Sequence, residues 1–92
     1  MKKKIAILGS TGSIGKSLLR IIDKDKKSFE IILLTGNKNY KELIKQTKHF
    51  KVKNVIITNK NSFNKFKETN CDKNLRVFND FKKLNRIFDN KI

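Results

Sequence analysis

Apolar residues fall along this chain in short unbroken runs, separated by segments of helical periodicity. Residues 5–8, 29–35 and 54–58 are built on continuous rather than alternating apolar stretches, the pattern expected of parallel strands covered on both faces. Between the first two, Ile14, Leu18, Ile21 and Ile22 recur on one stripe with Lys16 and Arg20 outside it, which predicts an amphipathic helix from Ser13 to Asp23. After a loop at residues 24–28 and the second strand, Tyr40, Leu43, Ile44 and Thr47 share a face of a second helix from Tyr40 to Phe50. Beyond Asn59 the pattern weakens. Phe63 and Phe66 suggest a helix near residues 62–69, and residues 75–78 a short strand. Asp80 is placed as the N-cap of a last helix carrying Phe81, Leu84, Ile87 and Phe88.

Strand, helix, strand, helix, strand is the first half of a doubly wound fold, whose right-handed crossovers give the strand order 3-2-1. The expectation is therefore an α/β chain: a Rossmann-like parallel sheet, first half only, in a three-layer α/β/α arrangement. Residues 1–92 form one partial domain with no repeat, low-complexity linker or internal boundary. With the short strand at residues 75–78 added beside strand three, strand one is left as an open edge, a feature that promotes aggregation.

The most informative break in the pattern follows strand one, where Gly9, Ser10, Thr11, Gly12, Ser13, Ile14 and Gly15 hold three of the four glycines. Strand, tight turn and helix start together point main-chain N–H groups and the positive end of a helix at an anion, and glycine removes the Cβ atoms that block close approach. The spacing, G-x-x-G-x-x-G, departs from the commoner G-x-G-x-x-G. Its context within a β-α-β unit of about 30 residues still supports a pyrophosphate as its guest. Ser10, Thr11 and Ser13 supply hydroxyls able to cap the helix or to donate to phosphate.

Charge changes this picture little. The formal charge is +15, and clustered basic residues ordinarily indicate nucleic acid or an anionic membrane. Here 20 of the 23 basic residues are Lys, scattered along a chain that is rich in Asn and Ile, has a single Ala and lacks Pro and Trp. That composition follows AT-rich coding, and the Phe residues fall mostly on core stripes, so a small nucleic-acid-binding protein is the weaker alternative. A stand-alone nucleotide-binding regulatory domain is another; an epimerase-like form of it would carry Tyr-x-x-x-Lys, whereas Ile44 lies four residues after Tyr40. Met1 and the three lysines behind it are followed by too short an apolar run for a signal peptide, and no run is long enough to span a bilayer. A soluble, cytoplasmic chain is expected. Cys71 has no partner for a disulfide, and His49, the one histidine, is expected on a helix surface rather than in a metal site.

The run Ile7-Leu8-Gly9-Ser10-Thr11-Gly12-Ser13-Ile14-Gly15, with Lys38-Asn39 after the second strand, resembles the N-terminus of the 1-deoxy-D-xylulose 5-phosphate reductoisomerases, and the resemblance extends over the whole chain. The family converts deoxyxylulose phosphate to methylerythritol phosphate in isoprenoid synthesis, using NADPH and a divalent metal, Mn²⁺ or Mg²⁺, and its members are homodimers several times longer than this chain. The resemblance implies NADPH contacts at Thr11, Gly12, Ser13 and Ile14 and at Lys38 and Asn39, with Gly9, Ser10, Gly15, Gly36 and Asn37 completing the two loops. Family members often have Gly immediately before the Lys-Asn pair; here that residue is Asn37, with Gly36 one earlier. Asn tolerates the left-handed backbone such a turn uses. Strand two ends without the carboxylate that NAD-selective folds place there, which favours NADPH over NADH. The implied metal ligands and substrate-phosphate groups fall on no motif of this chain, so the expectation is cofactor binding without turnover and without the homodimer.

Overall fold

In a computed structural model, residues 2–70 and 72–82 are described, and strands and helices alternate without exception. They are β1 (Lys3–Ile7), α1 (Ser13–Asp23), β2 (Phe29–Gly36), α2 (Tyr40–Phe50), β3 (Asn54–Ile57), α3 (Lys60–Thr69) and β4 (Arg76–Phe78). The four strands form one parallel sheet in the order β1-β2-β3-β4. This is the expected order, with the short fourth strand added outside β3.

All three helices return to one face of the sheet. Leu19 and Ile22 of α1, Leu43 and Ile44 of α2 and Phe66 of α3 join Ile7, Ile31, Leu34, Val55 and Ile57 in a single buried cluster. A smaller cluster of Ile32, Leu33 and Ile56, with Ala6 and Phe78 against it, occupies the other face. The division within β2 comes from a register shift: Ile5 pairs with Ile31 but Ala6 pairs with Leu33, leaving Ile32 as an extra residue. Such a bulge breaks the alternation of faces, so Ile31 and Leu34 turn toward the helices while Ile32 and Leu33 turn away. Of the last helix expected, Asp80 and Phe81 are described, and Asp80 Oδ1 accepts from the Lys82 N–H at 3.0 Å; Leu84, Ile87 and Phe88 lie outside the described residues, as does Cys71.

Local chemistry explains the helix boundaries. Asn39 Oδ1 accepts from the Glu42 N–H at 3.3 Å at the start of α2, and Asn59 Oδ1 accepts from the Ser62 N–H at 3.0 Å at the start of α3. Each cap satisfies one of the amides that a first turn leaves unpaired. The Asn59 cap also explains why α3 begins two residues before the expected position. Glu42 in the first turn of α2, with Lys48 and His49 in its last, complements the helix dipole.

Two expectations require correction. The unbroken apolar run at residues 5–8 reads as a strand covered on both faces, but it is only partly covered: Lys3 and Lys4 are exposed, Ile5 and Ala6 half-buried, and Leu8 lies outside the strand and 65% exposed. Among the described residues β1 pairs only with β2, which is the open edge expected. In α1 the stripe is displaced by one residue. Gly15, Leu19 and Ile22 are buried, whereas Ile14, Leu18 and Ile21 are 79%, 45% and 63% exposed. Of the four positions expected together, only Ile22 faces the core.

Candidate cofactor site

In a parallel sheet every strand ends at the same edge, and ligands of doubly wound folds bind outside those carboxyl ends. The loop at residues 8–12 leaves β1 there, residues 37–39 leave β2, and Thr58 and Asn59 leave β3. The two predicted loops are thus brought to one edge, with the start of α3 beside them.

The glycine loop is held by its neighbours rather than by itself. The Gly9 N–H donates to Thr35 Oγ1 and the Ser10 N–H to the Thr35 carbonyl, both at 2.9 Å, which extends the β1–β2 pairing past the end of β1. The Ser10 side chain is fully buried, and its hydroxyl donates to Gln46 Oε1 at 2.7 Å. Gln46 Nε2 returns a bond to the Ser10 carbonyl at 3.0 Å and another to Glu42 Oε2 at 3.2 Å. Ser10 is therefore committed to α2 and neither caps α1 nor faces a ligand.

The three glycines of the loop have three different tasks. Gly9 sits at φ +70, the left-handed region in which a Cβ is strained. Gly15 lies in the first turn of α1 directly over the loop: a Cβ there would collide with the Gly9 carbonyl oxygen and stand 2.6 Å from Ser10 Cα. Gly12 has neither constraint. It is the N-cap of α1 at φ −80 and ψ 176, and an added Cβ would meet only the Gly9 oxygen at an ordinary 3.5 Å.

No side chain caps α1, although α2 and α3 are both capped by Asn. Ser13 and Ile14 are exposed and Thr11 half-buried, so the first turn of α1 opens to solvent at the carboxyl edge. Main-chain N–H groups at such an end, strengthened by the helix dipole, can hold an anion.

The second loop follows a path that needs no left-handed residue. Among the described residues Lys51, at the end of α2, is the only non-glycine with positive φ, so Asn37 does not substitute conformationally for a glycine. Gly36 instead ends β2 where a Cβ would stand 2.7 Å from Leu43 Cδ1, so its role is to let α2 approach the sheet. Asn37, Lys38 and Asn39 are exposed, and Asn39 is committed to capping α2 through Oδ1.

Thr35, Gln46, Thr58 and Ser62 support these loops without belonging to either motif. Gln46 carried a signal in the sequence, being polar beside the apolar face of Leu43, Ile44 and Thr47. Thr58 and Ser62 carried only their position after β3.

Charge elsewhere does not converge. Asp23 accepts from Lys26 Nζ at 3.1 Å and contacts His49 Nε2 at 2.9 Å, at the far end of α1 from the glycine loop. The hydrogen bond from His49, followed by that from Lys26, holds the Asp23 carboxyl below its ordinary pKa. His49 is on a helix surface as expected, but with a carboxylate partner that its sequence neighbourhood did not reveal. Among the described residues no three His, Cys, Asp or Glu side chains come together to hold a metal. A groove of about 410 Å³ between α1 and α2, lined by Lys16, Arg20, Gln46, His49 and Phe50 among others, takes in none of the predicted residues. No helix among the described residues is long and apolar enough to cross a membrane.

A parallel sheet with helical crossovers and a glycine loop opening an uncapped helix defines the Rossmann-like class of α/β domains. Comparison with known proteins narrows the class. Residues 5–91 match the family model of 1-deoxy-D-xylulose 5-phosphate reductoisomerase, and the chain belongs to that family. The chain is 60% identical over 92 residues to the reductoisomerase of Pelagibacter ubique, covering 98% of this chain and 24% of that protein. To the reductoisomerase of Phocaeicola vulgatus it is 35% identical, covering 99% and 24%. Among solved structures it resembles the Zymomonas mobilis reductoisomerase in complex with NADPH, with a TM-score of 0.79 and 29% identity over 85% of this chain and 21% of that one. A reductoisomerase in complex with magnesium superposes with a TM-score of 0.83 at 25% identity, over 99% of this chain and 23% of that one. The chain spans about a quarter of the length of these relatives.

Proposed function

We propose that this chain forms the NADPH-binding portion of a 1-deoxy-D-xylulose 5-phosphate reductoisomerase, the enzyme that converts deoxyxylulose phosphate to methylerythritol phosphate. The observation that carries this reading is the uncapped start of α1 behind an open Gly12, in a chain whose structural relatives include a reductoisomerase bound to NADPH. Thr11, Gly12, Ser13 and Ile14 would hold the pyrophosphate, with Gly9, Ser10 and Gly15 shaping the loop around it. Lys38 and Asn39 would meet the 2′-phosphate from the turn that Gly36 and Asn37 begin. NADPH supplies the hydride for reduction; these residues bind and orient it.

The family's divalent cation is a different matter, because hard cations take several convergent oxygen ligands. The described residues do not fit it: no cluster of three ligating side chains exists among them, and Asp23 ends α1 and Asp25 follows it, at the edge of the sheet opposite the strand ends. We therefore assign metal and substrate binding to parts of the longer relatives outside the matched quarter. The same reading gives a cytoplasmic chain that binds NADPH as a monomer.

Titration of the 92-residue chain with NADPH tests the proposal. Saturable one-to-one binding is expected, without NADPH oxidation when deoxyxylulose phosphate and Mg²⁺ or Mn²⁺ are added. Absence of binding would refute the cofactor role, and steady turnover would refute the placement of the metal site.

A further inference from the structure

We infer that Ser62 and Thr58 are positioning residues that set the choice between NADPH and NADH, by fixing the turn at residues 37–39 from α3. This rests on the cofactor-binding role proposed above. The turn itself is only three residues long, exposed, and without glycine or a left-handed residue to define its path. Its definition comes from the segment that follows β3. The Thr58 N–H donates to the Gly36 carbonyl at 3.1 Å and the Asn59 N–H to the Asn37 carbonyl at 3.2 Å. Those two bonds continue the strand pairing beyond β2 and β3, and any residue with an N–H makes them.

Two side chains add what the backbone does not. Thr58 Oγ1 donates to Asn37 Oδ1 at 2.9 Å, and Ser62 Oγ donates to the Lys38 carbonyl at 2.9 Å. The Lys38 carbonyl also accepts from the Tyr40 N–H at 2.8 Å, so both lone pairs of that oxygen are engaged and the peptide plane after Lys38 is fixed. Ser62 is suited to the task because it is itself fixed: only 8% exposed, it donates its own N–H to the Asn59 cap in the first turn of α3. Lys38 is thus anchored through its main chain while its side chain stays exposed at the carboxyl edge.

The two cofactors differ by one phosphate, the one to which Lys38 and Asn39 are assigned. Loosening this turn therefore weakens NADPH more than NADH. Losing one hydrogen bond of ordinary strength changes an equilibrium about fivefold. The experiment measures both dissociation constants for the chain and for Ser62→Ala, Ser62→Thr and Thr58→Val, with folding checked by circular dichroism. The ratio Kd(NADH)/Kd(NADPH) should fall about fivefold in Ser62→Ala, recover in Ser62→Thr, and fall in Thr58→Val. Thr58 is exposed, so its variant reports on selectivity even where Ser62→Ala fails to fold. An unchanged ratio in folded variants overturns the inference alone, whereas an unmodified chain that binds no NADPH overturns the cofactor role and this inference with it.

Discussion

The Ser10 hydroxyl and the Gln46 side chain, 36 residues apart, form a closed pair: Ser10 Oγ donates to Gln46 Oε1 at 2.7 Å, and Gln46 Nε2 donates back to the Ser10 carbonyl at 3.0 Å. Both side chains are buried. The pair pins the glycine loop to α2 and so couples the helix after β2 to the loop after β1.

Truncating Gln46 leaves the buried Ser10 carbonyl without its side-chain donor and the Ser10 hydroxyl with only a long 3.4 Å bond to the Thr35 carbonyl, and an unsatisfied buried group costs about 1–3 kcal/mol. Gln46→Ala is expected to lower unfolding stability by that order in urea titration. Ser10→Ala should do less harm than Gln46→Ala, because the Ser10 carbonyl keeps its bond. The reverse ranking would show that the pair does not hold the loop.

Gly12 and Gly15 should separate fold from binding. Gly15→Ala pushes a methyl into the main chain of Gly9 and Ser10, which cannot move aside as a flexible side chain would, and forced overpacking costs about 1–3 kcal/mol. Gly12→Val places its Cβ at an ordinary contact distance from the Gly9 oxygen and loses only a modest N-cap preference, within about 1 kcal/mol. The expected result is a lowered melting temperature for Gly15→Ala, and a nearly unchanged one for Gly12→Val with NADPH affinity lost. Equal melting losses in the two would erase the distinction drawn between these glycines.

Much of this was legible in sequence, and the failures have identifiable causes. Continuous apolar runs located β2 and β3, and the glycine loop located the start of α1. The buried face of α1 was not legible, because Ile14, Leu18 and Ile21 have the same spacing as Gly15, Leu19 and Ile22, one residue displaced. Periodicity finds a helix; it does not choose between two apolar stripes when one contains a glycine. The Ser10–Gln46 pair was hidden for another reason, since its partners meet only once β2 and α2 are packed. The separate roles of the glycines were equally hidden, because φ at Gly9 and the approach of α1 at Gly15 are properties of the fold.

The displaced stripe can be tested directly. Ile22 is buried in the main cluster, and removing a buried Ile side chain to Ala costs about 2–5 kcal/mol. Ile21 is 63% exposed, and an exposed substitution usually stays within about 0.5 kcal/mol. Denaturant midpoints should therefore fall strongly for Ile22→Ala and hardly for Ile21→Lys. A large loss in Ile21→Lys would restore the stripe expected from sequence.

Asp23 should give the chain a small acid-dependent stability. Its carboxyl is held below the ordinary value by the hydrogen bonds from His49 and Lys26, so the unfolded chain takes up the proton first as pH falls. The contribution is present above the unfolded value of about 4 and disappears as pH drops through the lower folded value. The carboxyl is exposed, so the effect should also shrink with added salt. Melting temperatures of the chain and of Asp23→Asn should differ at pH 5 and converge toward pH 2. Parallel curves over that range would remove Asp23 from the pH dependence.

Lys38 should decide the sign of cofactor preference. It is the only charged residue in the turn at residues 37–39, and β2 ends in Thr35 and Gly36 with no acidic residue before Glu42, whereas NAD-selective folds place a carboxylate there to accept from the ribose hydroxyl. Unit charges about 4 Å apart interact by roughly 4 kcal/mol at an effective dielectric of 20. Lys38 is exposed, and solvent and side-chain entropy reduce such exposed pairs toward about 1 kcal/mol. Removing the charge in Lys38→Ala should therefore lower NADPH affinity about fivefold and leave NADH nearly untouched. Lys38→Glu replaces attraction by repulsion toward the phosphate and offers the ribose hydroxyl an acceptor, so it should invert the order of the two dissociation constants. Raising ionic strength should narrow the NADPH advantage of the unmodified chain and the NADH advantage of Lys38→Glu alike, since both are charge effects at an exposed turn. If the unmodified chain binds the two cofactors equally, or if Lys38→Glu still prefers NADPH, the 2′-phosphate is read by some residue other than Lys38.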